Sequence, residues 1–357
     1  MRYFNYLSPE EMETVFFRPP QFFDKESPPD ILAYALGATL YMPATRENFA
    51  DEIARRKNRG LVSLILCLED AVPDHRLQWA EEHLVAQMKR LQRLVADGVI
   101  ARAELPLIFV RMRNAMQMAG ILDRLEEDVV LLAGIVFPKF TYESGRPFLE
   151  RLAAYNRTAA VMLKAMPILE SGEIIYKESR IPALMAVKEI LDRHRDMILN
   201  IRIGATDFSG IYGIRRSSRV SIYDIGVIRD CIADIVNVFG RAASTYVVSG
   251  PVWEYFDQIE ELIREVRLDK ENGLTGKSVV HPSQLAPVQS LHVVTHEEYL
   301  DAQTILDHAG QAGVVRSHYT NKMNEMKPHL TWARRIMIKA EIYGVLHEHQ
   351  TFRSLLI

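Results

Sequence analysis

Cysteine is almost absent from this chain: two in 357 residues, Cys67 and Cys231. They lie far apart in apolar surroundings and form no CxxC, so buried free thiols in a reducing compartment are expected rather than a disulfide. Long apolar runs are missing too, and no stretch is fit to span a bilayer. The opening MRYFNYLSPEEMETVFF has no basic head followed by a clean apolar core, so no secretory signal is read there, and a cytoplasmic location follows by default. Neither sign of charge is in excess. Lys and Arg number 43 against 46 Asp and Glu, a formal net charge of -3, which argues against non-specific nucleic-acid binding but leaves room for a local anion site. There is no HxxxH, HExxH or cysteine cluster, which argues against zinc. The turn YMPATREN lacks GxGxxG, which argues against a dinucleotide fold. GLTGKS (273–278) fails as a phosphate loop, because Glu271 stands where the first glycine is required.

What is present is ordinary globular material, 48% hydrophobic and 25% charged, with length for a large core. Residues 1–32 read as an arm. Ser8-Pro9-Glu10-Glu11 predicts a helix start with a capping box. The proline-rich RPPQFFDKESPPD that follows is expected along the surface with its aromatics pinned. Eight strand candidates come next, at about 36–43, 61–69, 105–112, 133–139, 161–169, 198–206, 243–250 and 276–281. Helical patterns separate most of them, at 46–58, in WAEEHLVAQMKRLQRLVADG with Gly98 at its end, in RPFLERLAAYNRT, in IPALMAVKEILDRHRD, in SIYDIGVIRDCIADIVNVFGRA and at 251–271. Eight alternations predict an α/β fold, a (β/α)8 TIM barrel over 33–290. Residues 291–357 read as a helical extension, HEEYLDAQTILDHAGQAG and then a helix interrupted near Pro328. It is expected to cover the barrel mouth or to mediate oligomer contacts.

The chemistry sits where the apolar strands stop. LVSLILCLEDAV ends on Glu69 and Asp70, LPLIFVRMRN on Arg111 and Arg113, AGIVFPKF on Lys139, VMLKAMPILES on Glu170, ILNIRIGATDFS on Asp207 and GKSVVHPSQL on His281. A strand buried on both faces that ends in a charge delivers that side chain to one rim of a barrel. Glu170 and Asp207 end adjacent strands, and two carboxylates with water make a hard oxygen site suited to Mg2+. The plainer alternative is a pair of rim salt bridges. Arg111 and Arg113, placed on one side by alternation, are candidates to grip a carboxylate or phosphate or to stabilise an enolate, or else to pair with Glu69 or Asp70. Lys139 raises a Schiff base, with a structural ion pair the favoured alternative. His281 alone is weak evidence. Arg215, Arg216 and Arg219, in the loop after Asp207, either receive a phosphate or a carrier's nucleotide or lie in solvent. The run ARRKNRG (54–60) reads as a solvated helix end.

As a set, LYMPATRE, LCLEDAVP, FVRMRN, GIVFPKF, MPILESGEI, RIGATDFS and GLTGKSVVHPSQL resemble, in order, the signatures of the citrate lyase beta-subunit-like family. That family belongs with the HpcH/HpaI aldolases of the phosphoenolpyruvate/pyruvate barrel group. The resemblance covers about residues 36–290. It implies a Mg2+-dependent carbon–carbon lyase. Glu170 and Asp207 match the metal ligands and Arg111 the substrate-contacting arginine. Glu69 and Asp70 match the acidic pair of the metal's outer shell. Arg113 takes the place of a common asparagine, Thr206 that of an acidic residue, and SGEIIYKES that of smaller residues. The implied partner is a small anionic substrate, a keto acid, a CoA thioester or a phosphorylated compound, in a homo-oligomer with no nucleic acid or membrane. Thioester hydrolysis on the same barrel, or a non-catalytic assembly role on an inherited barrel, are the alternatives.

Overall fold

The computed structural model describes residues 1–242, 244, 246–310 and 312–356. Eight parallel strands form its centre: β1 (Ala38–Pro43), β2 (Ser63–Cys67), β3 (Leu107–Arg111), β4 (Leu132–Phe137), β5 (Lys164–Leu169), β6 (Ile201–Ile203), β7 (Val248–Ser249) and β8 (Lys277–Val279). Each pairs with the next from β1 to β7, and β8 returns to β1 through Thr39↔Ser278. A parallel bridge between Gly250 and Lys277 joins β7 to β8, so the sheet closes. Strands β2, β3 and β4 are buried at every position, as they must be with side chains inside the ring and helices outside it.

The helices form because their apolar positions repeat at helical spacing. Leu77–Ala96 buries Ala80, Leu84, Met88, Leu91 and Leu94 on one stripe. It stops where Gly98 adopts φ +73°, a left-handed conformation glycine takes at no steric cost. Asn114 and Thr141 cap the helices Ala115–Leu125 and Tyr142–Asn156 by accepting the backbone N–H groups of Gln117 and Ser144.

The barrel agrees with the sequence reading, and its edges differ. The segment 46–58 yields only the short helix Phe49–Ala54, and 251–271 only Ile259–Glu271. β6 and β7 are shorter than expected, and the first part of the expected strand 243–250 includes positions outside the described residues. Asp207 does not close a strand. β6 stops at Ile203, and Asp207 lies in the first turn of the helix Ala205–Ile211.

The arm is part of the core. Ser8 and Glu11 form the expected capping box. Tyr3 and Phe4 are fully buried, and the apolar lining of the barrel, Ile65, Phe109, Val136 and Met166, runs on into them. Of the neighbouring aromatics, Phe23 is buried but Phe22 is exposed. Phe16–Arg18 pairs antiparallel with Val345–Leu346 of the C-terminal extension. Tyr343 donates to the Tyr34 carbonyl and Tyr3 to that of Ala35, both just ahead of β1. Arm and extension therefore close the N-terminal end of the barrel, opposite the strand ends where the charges gather. The extension does not cover the mouth. It holds the helices His296–Asp307 and Met326–Tyr343 and a hairpin of Val314–Arg316 with Met323–Glu325 that the sequence reading missed. Pro328 falls in the first turn of its helix, where its missing N–H costs nothing, so it does not interrupt it. Among the described residues no helix is long and apolar enough to cross a membrane.

Candidate active site at the carboxyl ends of the strands

A cavity of about 470 Å³ opens at the C-terminal rim. Arg111, Glu170, Asp207, Asp70, Tyr41 and Arg202 are among its lining residues. Glu170 follows β5 directly. One carboxylate oxygen accepts the Lys139 backbone N–H at 2.7 Å. The other packs where the next strand turns: a Cβ on Gly204 would come within 2.0 Å of Glu170 Oε2. A side chain there would force the Glu170 side chain to move. Glu170 is buried, Asp207 is half-buried beside it, and neither has a cationic side-chain partner within salt-bridge distance among the described residues. Burial first, and the Asp207 charge second, push the Glu170 carboxyl up to about 8. Burial raises that of Asp207 as well.

Arg111 ends β3 and points inward, 8% exposed. Its guanidinium reaches Glu69 Oε2 at 3.0 Å, Asp70 Oδ2 at 3.2 Å and the Cys67 sulfur at 3.3 Å, and it lies over the Tyr41 ring. Burial works against its charge, but Cys67, Tyr41 and Glu69 outweigh it and hold the proton more firmly than usual. Lys139, at φ +47°, sets its ammonium on Glu69 and on Asp70 at 3.2 Å. Burial disfavours that charge, yet the two carboxylates raise its pKa well above the ordinary lysine range. A lysine so held is a poor amine nucleophile, which leaves the ion-pair reading. Burial alone would raise Asp70, but Glu69, Arg111 and Lys139 bring it down.

The structure thus brings Glu69, Asp70, Arg111, Lys139, Glu170 and Asp207 to one end of the barrel. It does not bring the others. Arg113 was expected beside Arg111, but β3 ends at Arg111, and Arg113 turns away to the Leu68 and Val72 carbonyls and Asp74. It ties down the loop that carries Glu69 and Asp70. Asn114, one place along, caps a helix. Arg216 was expected to face an anion at the mouth. It is buried on Glu265, Glu254 and the Val252 carbonyl, stacked over Trp253 at 4.6 Å. Glu265 also pairs with the fully buried Lys277, which binds Asp269 at 2.8 Å. Arg216 therefore belongs to a buried charge network between β8 and its neighbouring helix. Arg215 and Arg219 are exposed on the loop surface, and neither lines the cavity. His281 is exposed, caps a short turn and stacks on Phe256.

Sequence reasoning missed Arg202. It lies in the middle of β6, 1% exposed, with Nη2 on Ser278 Oγ at 2.8 Å and Nη1 on Thr39 Oγ1 at 3.5 Å. The signal was present: one arginine in mid-strand, between Ile201 and Ile203 that face the helices.

The donor chemistry admits a hard cation. Among the described residues no group of three or more His, Cys, Asp or Glu converges to hold a metal, so the protein offers the two carboxylates alone. That suits Mg2+, which keeps several waters and takes further oxygens from substrate, and it does not suit zinc.

A family model described as a C–C bond lyase of the TIM-barrel fold matches residues 30–345. The chain belongs to this family of carbon–carbon lyases. It is 26% identical over 294 residues to a citrate lyase subunit beta-like protein of Deinococcus radiodurans, covering 79% of this chain and 88% of that one. A citrate lyase of Burkholderia xenovorans LB400 superposes with a TM-score of 0.64 at 16% identity, over 90% of this chain and 96% of that one. CitE of Mycobacterium tuberculosis, in complex with magnesium, acetoacetate and coenzyme A, gives 0.57 at 19% identity, over 86% and 99%. At these identities the two structures establish the shared barrel.

Proposed function

We propose that this lyase cleaves, or in reverse forms, a carbon–carbon bond next to the carbonyl or hydroxyl of a small anionic acid, with Mg2+ held by Glu170 and Asp207. One observation carries the reading: two carboxylates with no cationic side-chain partner among the described residues line the same cavity as a clamped guanidinium, Arg111, at the carboxyl-end rim of a lyase-family barrel. Magnesium accompanies acetoacetate and coenzyme A in the M. tuberculosis structure, which supports the choice of cation. The cation would supply positive charge where the departing carbon leaves an enolate.

The chain's own residues do the rest. Glu69 and Asp70 fix the Arg111 fork, so its remaining donors meet the developing negative charge without reorganising. Arg113 holds the loop that makes this possible. Lys139 neutralises Glu69 and Asp70 from the solvent side and, through its backbone N–H, orients Glu170. Asp70, the more exposed of the two acids, is the candidate to relay the substrate's hydroxyl proton to water. The proposal includes a homo-oligomer in the cytoplasm.

The test incubates the protein and Mg2+ with a panel of 2-oxo acids, 3-hydroxy acids and acyl-CoA thioesters and follows cleavage by NMR. Arg111→Gln is expected to lower the rate of the responding substrate on the order of a hundred-fold or more with its fold intact. Wild-type rates in Arg111→Gln, or thioester hydrolysis without carbon–carbon cleavage, would contradict the reading.

A further inference from the structure

A second cavity, of about 390 Å³, lies at the opposite end of the barrel from Glu170 and Arg111, and none of its lining residues lines the rim cavity. It opens where the extension packs on the barrel floor. Val248, at the start of β7, and Thr275, just ahead of β8, form its inner wall. The helix Ile259–Glu271 brings Arg267 and Lys270 to it, and the helix Met326–Tyr343 brings Trp332, Arg335 and Lys339. Steps of three and four residues put those last three on one stripe of their helix. His292 also lines it.

Positive charge gathers here with little to answer it. Among the described residues none of Arg267, Lys270, Arg335 and Lys339 has a carboxylate within salt-bridge distance. The buried cations elsewhere are answered: Arg216 and Lys277 each hold two carboxylates, and Arg180 holds Asp234. Lys270 gives one of its three donors to the Leu291 carbonyl at 2.6 Å. Arg335 reaches the Gly240 carbonyl at 3.5 Å, the outer limit of a hydrogen bond. Glu298 is the carboxylate that faces Lys339, and its Oε2 is turned to the Thr295 N–H and hydroxyl. Burial first, and Lys270 second, bring the Lys339 ammonium down to about 8. His292 adds a neutral donor. Its Nε2 accepts the Gly276 N–H, so the ring proton belongs on Nδ1, which is buried with no hydrogen-bond partner among the described residues. Like charges four apart on one helix, facing a third from the barrel, repel, and an N–H buried without an acceptor is costly. One anion placed among them relieves both.

We infer that this cavity binds a phosphoryl dianion, free or at the end of a small ester, held by Lys270 from the barrel, by Arg335 and Lys339 from the extension and by the His292 Nδ1–H. A single carboxylate carries one charge in one plane and would leave cations unanswered. A phosphoryl group carries up to two charges on oxygens that point apart, which suits donors arriving from separate elements. The volume falls within the range of small-molecule sites, about 300–1,000 Å³. An ester therefore has room beside its phosphoryl group, with the exposed Trp332 ring at the mouth. A bound anion would tie the extension to the barrel floor. The site needs neither the metal nor any residue of the rim.

The experiment is calorimetry with chelator present, on wild type, Lys339→Met and Arg111→Gln, using inorganic phosphate, AMP and acetate. Wild type and Arg111→Gln are expected to bind phosphate or AMP alike, and acetate far more weakly. Lys339→Met is expected to bind on the order of ten-fold or more weaker than wild type. AMP tighter than phosphate, with a change in tryptophan fluorescence that Trp332→Phe removes, assigns the site to an ester. Phosphate tighter than AMP assigns it to the free ion. Binding of neither by wild type, acetate bound as well as phosphate, or undiminished binding in Lys339→Met overturns the inference. So does loss of binding in Arg111→Gln, which would place the anion at the rim. Phosphate also stabilises proteins without binding them, so melting is read as a difference: its rise in Tm is expected to be larger for wild type than for Lys339→Met, and equal rises count against the site. Without ligand Lys339→Met is expected to melt at or above wild type, because a repelled charge is gone. A large drop in Tm would assign Lys339 to the fold and overturn the site.

Discussion

Glu170 is held from two sides, by the Lys139 N–H on one oxygen and by the bare backbone of Gly204 against the other. Gly204→Ala forces a Cβ into the Glu170 carboxylate. It is expected to fold with a loss of about 1–3 kcal/mol and to lose most of its Mg2+ affinity by calorimetry; wild-type affinity would show that this packing does not set the carboxylate. A different buried charge tests the structural network. Lys277 is fully buried on Glu265 and Asp269, and Lys277→Met strands both. Urea unfolding is expected to show a loss of about 3–5 kcal/mol, and a change below about 1 kcal/mol would mean the network is not holding the helix Ile259–Glu271 to β8. These residues also mark how far the sequence could be read. Glu170 and Arg111 were legible because a charge at the end of a fully apolar strand has one destination. Arg216 was not, because its destination is Glu265, 49 residues further on, and nothing local to the loop announces that a buried carboxylate is waiting. Arg202 was legible only from alternation, as a lone charge between Ile201 and Ile203, because a mid-strand position carries no strand-end signal.

Among the elements, the eight strands were legible because burial on both faces writes continuous apolar runs. Their lengths were not: β6 and β7 keep three and two residues, since sheet pairing ends where neighbours end. The proline-rich part of the arm reads as a surface segment because prolines forbid helix interior. Its aromatics gave no direction until the open lower end of the barrel was there to receive them. Phe4→Ala tests the arm as a core element. Phe4 is fully buried, and the expected loss is about 3–5 kcal/mol by urea unfolding. A loss below about 1 kcal/mol would mean the arm is only draped on the barrel.

For the whole molecule, closure of the lower end has a pH signature. His292 joins barrel to extension, 1% exposed, accepting the Gly276 N–H at Nε2. Its other ring nitrogen has no hydrogen-bond partner among the described residues. Burial, then Lys339, Lys270 and Lys277 facing it, keep its pKa well below 6.5. The unfolded chain takes up this proton as pH falls through about 6.5, before the folded protein does. Stability from this group is therefore complete above pH 6.5 and falls as pH drops below it. His292→Gln is expected to flatten the dependence of unfolding free energy between about pH 6.5 and 5, and an unchanged slope would remove His292 as its source. The closed lower end leaves the cavity open at the rim, where the strand-end charges stand, so on the proposed function substrate would enter from there. The fold class and that rim were readable from the order of the motifs. The side on which the extension packs was not, because it depends on contacts with the arm some 300 residues earlier.

Glu170 and Asp207 are proposed to hold a cation for a keto acid. Calorimetric titration of chelator-treated protein with Mg2+, with and without oxaloacetate, alongside Glu170→Gln and Asp207→Asn, tests it directly. Mg2+ is expected to bind wild type, more tightly with oxaloacetate present, and to be lost from both variants. No Mg2+ binding by wild type in the presence of the keto acid, or undiminished binding in the two variants, would contradict it.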